Sequence, residues 1–195
     1  MKFITLFFSA LILLSCEGAT NNNPVEKTTE PVPTTDTIIA FNNDSLHRNN
    51  AAKIWIDDIH NKRISAHELV GFAKTLIGIP YKYASTDPAI GFDCSGFITY
   101  VFNHFDIAVP RSSIDFTNIG KEIPLQNARE GDLILFTGTV DSINVVGHMG
   151  IVTENMDTLK FIHSTSGRAN AVTISNFTNH YEARFVKVTR VFSNQ

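Results

Sequence analysis

The sequence predicts an α+β fold in which a helical half precedes an antiparallel sheet. Three observations predict it. A capped apolar repeat of helical period runs from Ser65 to Ile77. A second such repeat covers 94–106. After Pro110 the period shortens, and brief apolar segments at 133–136, 148–154, 159–163, 171–176 and 184–191 alternate with polar turns. The 195 residues suit one domain with short extensions, and no internal repeat is visible. With 16 Lys+Arg against 19 Asp+Glu and no run of like charges, the balance argues against a nucleic-acid binder, which concentrates basic residues on one face.

From the N-terminus, Lys2 precedes an apolar run over 3–14, FITLFFSALILL. A bilayer-spanning helix needs roughly 20 residues. This run is shorter and suits the hydrophobic region of a secretion signal. It ends in Leu13-Leu14-Ser15-Cys16, which resembles the bacterial lipobox. That resemblance implies cleavage before Cys16 and lipid on its thiol. Cys94 is the second of only two cysteines. With Cys16 lipidated it has no disulfide partner and becomes a candidate reactive thiol. Residues 17–40 are rich in Thr, Asn, Pro and Glu without apolar periodicity. They read as a flexible tether, because such a composition buries too little surface to offset ordering entropy. Ala51, Ile54, Trp55 and Ile59 predict a helix within 41–63.

The first firm helix opens at Ser65. Glu68 stands three residues on, the signature of a capping box. Leu69, Val70, Phe72, Ala73, Leu76 and Ile77 make its apolar face, and Gly78 with Pro80 ends it. A turn-rich stretch from Ala84 to Gly91 leads into the second helix, whose Ile98, Val101, Phe102 and Phe105 share one face.

Cys94 falls at the start of that second helix, in Phe92-Asp93-Cys94-Ser95-Gly96. A free thiol titrates at about 8.5 and is nucleophilic only as thiolate. A helix N-terminus offers partial positive charge and unpaired N–H groups. It is expected to favour the thiolate and to receive an oxyanion formed by attack on an amide carbonyl. The nucleophile needs a base and a group that orients the base. Among seven histidines, His148 lies at the start of a predicted strand between Gly147 and Gly150, and His163 lies on the next. Antiparallel pairing would set the imidazoles side by side, so that His163 fixes the tautomer of His148. His47, His60, His67, His104 and His180 read as surface or structural residues. Asp93 doubles as a favoured N-cap. A zinc site is the rival use of Cys with two His, but the ligands are not paired at short spacing.

Six motifs in order then resemble the NlpC-type family of cell-wall cysteine peptidases, which has a papain-like fold. They are Ile79-Pro80-Tyr81, Phe92-Asp93-Cys94-Ser95-Gly96-Phe97, Val109-Pro110-Arg111-Ser112-Ser113, Gly131-Asp132-Leu133-Ile134-Leu135-Phe136, Gly147-His148-Met149-Gly150-Ile151 and Phe161-Ile162-His163-Ser164. Arg190-Val191 resembles the family's closing motif. The resemblance implies Cys94 as nucleophile, His148 as base and His163 as orienting residue. Tyr81 and the Cys94 N–H would form the oxyanion hole. Asp93, Ser95, Arg111 and Ser112 would meet the substrate, with Asp93 facing a free amine of the stem peptide. Arg111 could equally brace a turn or pair with a carboxylate. The bond implied is the γ-D-glutamyl to diaminopimelate amide, cut without cofactor or metal.

The chain departs from the family pattern near the cleft. Ala84-Ser85 replaces a Gly-Gly pair, the segment 137–147 is long, and Val152 stands where an aromatic is frequent. These differences bear on substrate choice more than on reaction type. The predicted organisation is a signal peptide over 1–15, a lipidated cysteine and tether over 16–40, a helical extension over 41–64 and the NlpC-type peptidase domain over 65–195. The expected partners are peptidoglycan stem peptides and, through lipid on Cys16, a membrane, with no nucleic acid. The expected location is the cell envelope, facing the periplasm. An amidase or acyltransferase using the same Cys/His pair and a non-catalytic peptidoglycan-binding lipoprotein are the alternatives.

Overall fold

The computed structural model describes residues 62, 64–138 and 145–192. The predicted signal peptide, Cys16, the tether and the helix around Trp55 lie outside them. Helix α1 spans Ala66–Thr75. Its capping box is complete: the Ser65 hydroxyl accepts from the Glu68 N–H at 3.1 Å, and the Glu68 carboxylate accepts from the Ser65 N–H at 2.8 Å. Two-residue strands β1 (Thr86–Asp87) and β2 (Gly91–Phe92) pair with each other inside the stretch predicted as turn. Helix α2 spans Cys94–Asn103, three residues shorter than its apolar repeat. It stops early because the chain reverses at Asp106, in the left-handed region at φ 55°.

The remaining strands are β3 (Lys121–Ile123), β4 (Leu133–Thr137), β5 (Val146–Asn155), β6 (Leu159–Thr165), β7 (Ala171–Asn176) and β8 (Phe185–Arg190). They form one sheet in the order β3-β8-β4-β5-β6-β7, with every neighbouring pair antiparallel. A short helix α3 (Asn179–Glu182) precedes β8. The α+β expectation is met, and the apolar segments of the second half are all strands.

Alternation along the strands divides the core in two. Leu133, Leu135, Met149, Ile151, Ile162 and Val172 pack against Leu69, Val70, Phe97, Ile98, Val101 and Phe102 of the two helices. Ile134, Phe136, Val152, Phe161 and Val188 face the other way, under Leu125, Phe177, Tyr181 and Phe185. The Asp132 carboxylate, 1% exposed, ties the start of β4 to the end of β8. It accepts from Arg190 Nε at 2.9 Å and Nη2 at 2.8 Å, and from the Arg129 N–H at 2.8 Å. Asp132→Ala leaves a guanidinium without its carboxylate at the sheet end. It is expected to cost about 3 kcal/mol, read as a lower urea midpoint at unchanged slope.

Candidate active site

The site is built from the N-terminus of α2. Asp93 is the N-cap, and its Oδ1 accepts from the Gly96 N–H at 2.6 Å. Gly96 is required by contact: a Cβ there would lie 2.0 Å from the Ser85 carbonyl oxygen. The first turn of α2 is thereby pressed against the chain at 85, and the Cys94 side chain is aimed along the groove that starts there.

The sulfur meets β5 beyond the point where that strand's registered pairing with β6 ends, at Ile151↔Ile162. Cys94 Sγ lies 3.8 Å from the Gly147 carbonyl oxygen, and the Met149 N–H also points at it. The thiol therefore rests against the backbone on both sides of His148. His148 Nε2 is 2.8 Å from His163 Nδ1, with the rings near perpendicular at 77°. His148 Nδ1 is left on the ring's other edge. The expectation that adjacent strands juxtapose the two imidazoles holds. The glycines beside His148 serve close backbone packing. A Cβ on Gly150 would lie 2.8 Å from the Ile162 carbonyl oxygen, and one on Gly147 would lie 2.7 Å from the Gly138 Cα.

A groove of about 450 Å³ opens over the sulfur, lined by Tyr81, Tyr83, Ala84, Asp93, Cys94, Ser95, Arg111, Ser112, Ser113 and Gly147. All four residues expected to meet substrate, and Tyr81, line this one groove. Arg111 forks onto Asp93, Nη1 to Oδ1 at 3.0 Å and Nη2 to Oδ2 at 2.6 Å, and Nη1 also donates to the Ser95 hydroxyl at 2.9 Å. Asp93 thus serves as cap and ion-pair partner at once. Ala84, where the family pattern has glycine, sits at φ 59°. Such a conformation costs a residue with a Cβ about 1 kcal/mol, and here it is held at the groove wall. Among the described residues no cluster of three His, Cys, Asp or Glu could hold a metal ion.

Electrostatics overturns one expectation. Burial and the nearby Asp93 charge raise the Cys94 thiol above its ordinary value. The amides of Ser95, Met149 and Cys94 push the other way without prevailing. Burial, reinforced by the charges of Arg184 and His180, pulls His148 down to about 3. His163 is lowered well below its ordinary value by burial, then by His148 and Arg184. Burial and Asp93 thus work against the thiolate that the helix terminus was expected to favour.

Sequence reasoning missed the layer behind His163. His163 Nε2 is 2.9 Å from the Ser175 hydroxyl and 3.4 Å from the Tyr181 hydroxyl. Arg184 donates to the Thr137 carbonyl at 2.9 Å and contacts His180 Nε2 at the same distance. Ser175 was visible only as an alternating position on a strand, and nothing in the sequence marks Tyr181 or Arg184. His180 is exposed, as expected, but belongs to this charged cluster.

A model of the NlpC/P60 family matches residues 78–190, more than half of the sequence. The chain belongs to the NlpC/P60 family. Among similar proteins, the gamma-DL-glutamyl hydrolase of Bacillus subtilis strain 168 is 30% identical over 127 residues, covering 65% of this chain and 30% of that protein. The murein DD-endopeptidase MepH of Escherichia coli K12 is 27% identical over 153 residues, 74% of this chain and 53% of that protein. The peptidoglycan endopeptidase RipB of Mycobacterium tuberculosis H37Rv is 31% identical over 127 residues, 59% of this chain and 49% of that protein. The chain thus spans about half or less of the length of these relatives. An NlpC/P60 family crystal structure from Bacillus cereus ATCC 10987 superposes with TM-score 0.57 at 29% identity, covering 66% of this chain and 40% of that chain. A Staphylococcus aureus Mu50 structure described as similar to lipoprotein, NLP/P60 family, gives TM-score 0.57 at 26% identity, over 66% of this chain and 42% of that chain.

The lowered imidazoles set the pH dependence of stability in this NlpC/P60 domain. Both are neutral in the fold, whereas in the unfolded chain they titrate near 6.5. Unfolding therefore takes up protons below about pH 6.5, and stability falls as pH drops from there toward the folded values. The urea midpoint by circular dichroism is expected to fall between about pH 7 and pH 5, and less steeply in His163→Gln.

Proposed function

We propose that this protein is a lipid-anchored cysteine peptidase of the cell envelope that cuts peptidoglycan stem peptides. One observation carries the reading. The thiol of Cys94 opens into a groove at the start of α2, against the strand that bears His148, and His148 is held at 2.8 Å by His163. The family and the names of its similar members, among them glutamyl hydrolases and peptidoglycan endopeptidases, support the substrate class.

The chemistry starts from the thiol of Cys94 and the uncharged imidazole of His148. As the sulfur attacks the amide carbonyl, the thiol proton passes to His148 Nδ1, and the imidazolium is stabilised through Nε2 by His163. The carbonyl oxygen takes up charge facing the Cys94 N–H and the Tyr81 hydroxyl. The C–N bond breaks as His148 returns the proton to the leaving amine, which leaves a thioester. Water, deprotonated by His148, attacks the thioester, releases a carboxyl group and restores the thiol. Asp93, Ser95, Arg111 and Ser112 line the groove that would seat the peptide. The bond favoured is the γ-D-glutamyl to diaminopimelate amide. Relatives named for DL and for DD bonds make the cut site the quantity to measure.

The expected assay outcome is specific. The full chain, kept in detergent micelles, should release fragments ending in D-glutamate from purified muropeptides, identified by mass spectrometry. Cys94→Ala should release none. Liberation of the whole peptide from muramic acid would establish an amidase, and intact muropeptides with both proteins would leave a binder. The apolar run before Cys16 supports the anchor. Cys16→Ser should abolish incorporation of labelled palmitate and release the chain from the membrane fraction.

A further inference from the structure

We propose that Ser175, assisted by Tyr181, is a positioning residue whose hydroxyl accepts from His163 Nε2–H and so supports the tautomer that leaves His148 in its proton-accepting form. The inference rests on the peptidase reading and adds residues that act behind its Cys/His pair.

Proton placement runs along a chain of contacts from Cys94 to Ser175. To take a proton from Cys94, His148 needs its lone pair on Nδ1, so its own proton sits on Nε2. That proton points at His163 Nδ1, 2.8 Å away, which must then accept. His163 therefore carries its proton on Nε2 and needs an acceptor there. Two hydroxyls meet that nitrogen, Ser175 Oγ at 2.9 Å and Tyr181 Oη at 3.4 Å. His163 is fully buried, so an Nε2 proton without an acceptor would be costly. With apolar atoms in place of the hydroxyls, the proton is better placed on His163 Nδ1, donating to His148 Nε2. His148 then bears its proton on Nδ1 and is no longer a base there.

The fold builds this arrangement deliberately into two elements. On the antiparallel pair β6–β7, His163 faces Thr173 and Phe161 faces Ser175. The four side chains share one sheet face, with Ser175 on the diagonal from His163, within reach of a long side chain. Tyr181 comes from α3. Its ring stands edge-on to Phe161 at 4.8 Å and to His163 at 5.6 Å, which fixes where the hydroxyl lies. The charged and titratable groups acting on the two imidazoles are each other, His180 and Arg184, with the Tyr181 hydroxyl at His163. None of these is altered by changing Ser175.

The test compares Ser175→Val with Ser175→Thr, two β-branched residues of one shape that differ by the hydroxyl. Tyr181→Phe and the Ser175→Val/Tyr181→Phe pair complete the set. Full chain in micelles is treated with iodoacetamide from about pH 5 to 9, and modification of the Cys94 peptide is timed by mass spectrometry. Imidazole ¹⁵N shifts report the tautomers. At about pH 7.5, Ser175→Val should slow alkylation about tenfold and the double variant about a hundredfold, the range seen when a histidine loses its outer hydrogen-bond partner. Ser175→Thr should match the unaltered chain, and the ¹⁵N signature should move the His148 proton to Nδ1 only where hydroxyls are lost. Equal rates in the Val and Thr variants, fast or slow, would overturn the proposal, as would an unmoved tautomer in the double variant. Because alkylation needs no peptide, failure to cleave muropeptides would sink the peptidase reading while leaving this result standing.

Discussion

The carboxylate of Asp93 is the group on which the geometry of the site depends. Through Oδ1 it terminates α2 on the Gly96 amide, which sets where the Cys94 sulfur begins. Through both oxygens it holds the Arg111 fork, which draws the turn at 110–113 across the groove from the nucleophile. One side chain thus joins the helix that supplies the sulfur to the loop that walls the groove, and local capping preference becomes a long-range constraint.

That same charge works against ionisation of the neighbouring thiol. Burial and Asp93 outweigh the helix-terminal amides, while burial also keeps both imidazoles neutral. A helix N-terminus is worth a fraction of a kcal/mol to about 2 kcal/mol for an anion, and desolvation of the half-buried sulfur together with the Asp93 charge outweighs it. Burial thus acts against charge on both the thiol and the imidazoles. In the proposed reaction, charge separation would accompany attack on the substrate carbonyl.

The sheet contributes its two faces to different tasks. One face packs on α1 and α2 and fixes the depth of the nucleophile's helix. The other carries Phe136, Phe161, His148 and His163 beneath Tyr181. The two sides meet at the end of β5 where pairing with β6 stops, so that backbone at Gly147 and Met149 faces the sulfur.

The sequence by itself determined the capped helix at 66–75, the start of α2 on Cys94, the strands of the second half and the order of the family's motifs. These rest on caps and on apolar periods of 3.6 or 2 residues, which are properties of neighbours along the chain. It also placed His148 and His163 on adjoining strands, because a short connection favours antiparallel pairing. Only the tertiary structure decided that burial and Asp93 oppose ionisation of the thiol, that Arg111 occupies both oxygens of Asp93, and that Ser175, Tyr181 and Arg184 stand around the imidazoles. Each of these depends on burial or on contacts between residues far apart in sequence. Ser175 and His163 meet through register, and Arg111 reaches Asp93 across a whole helix. No local pattern encodes such distances, because the free energy that sets them comes from excluding water around groups the chain brings together only once it is folded.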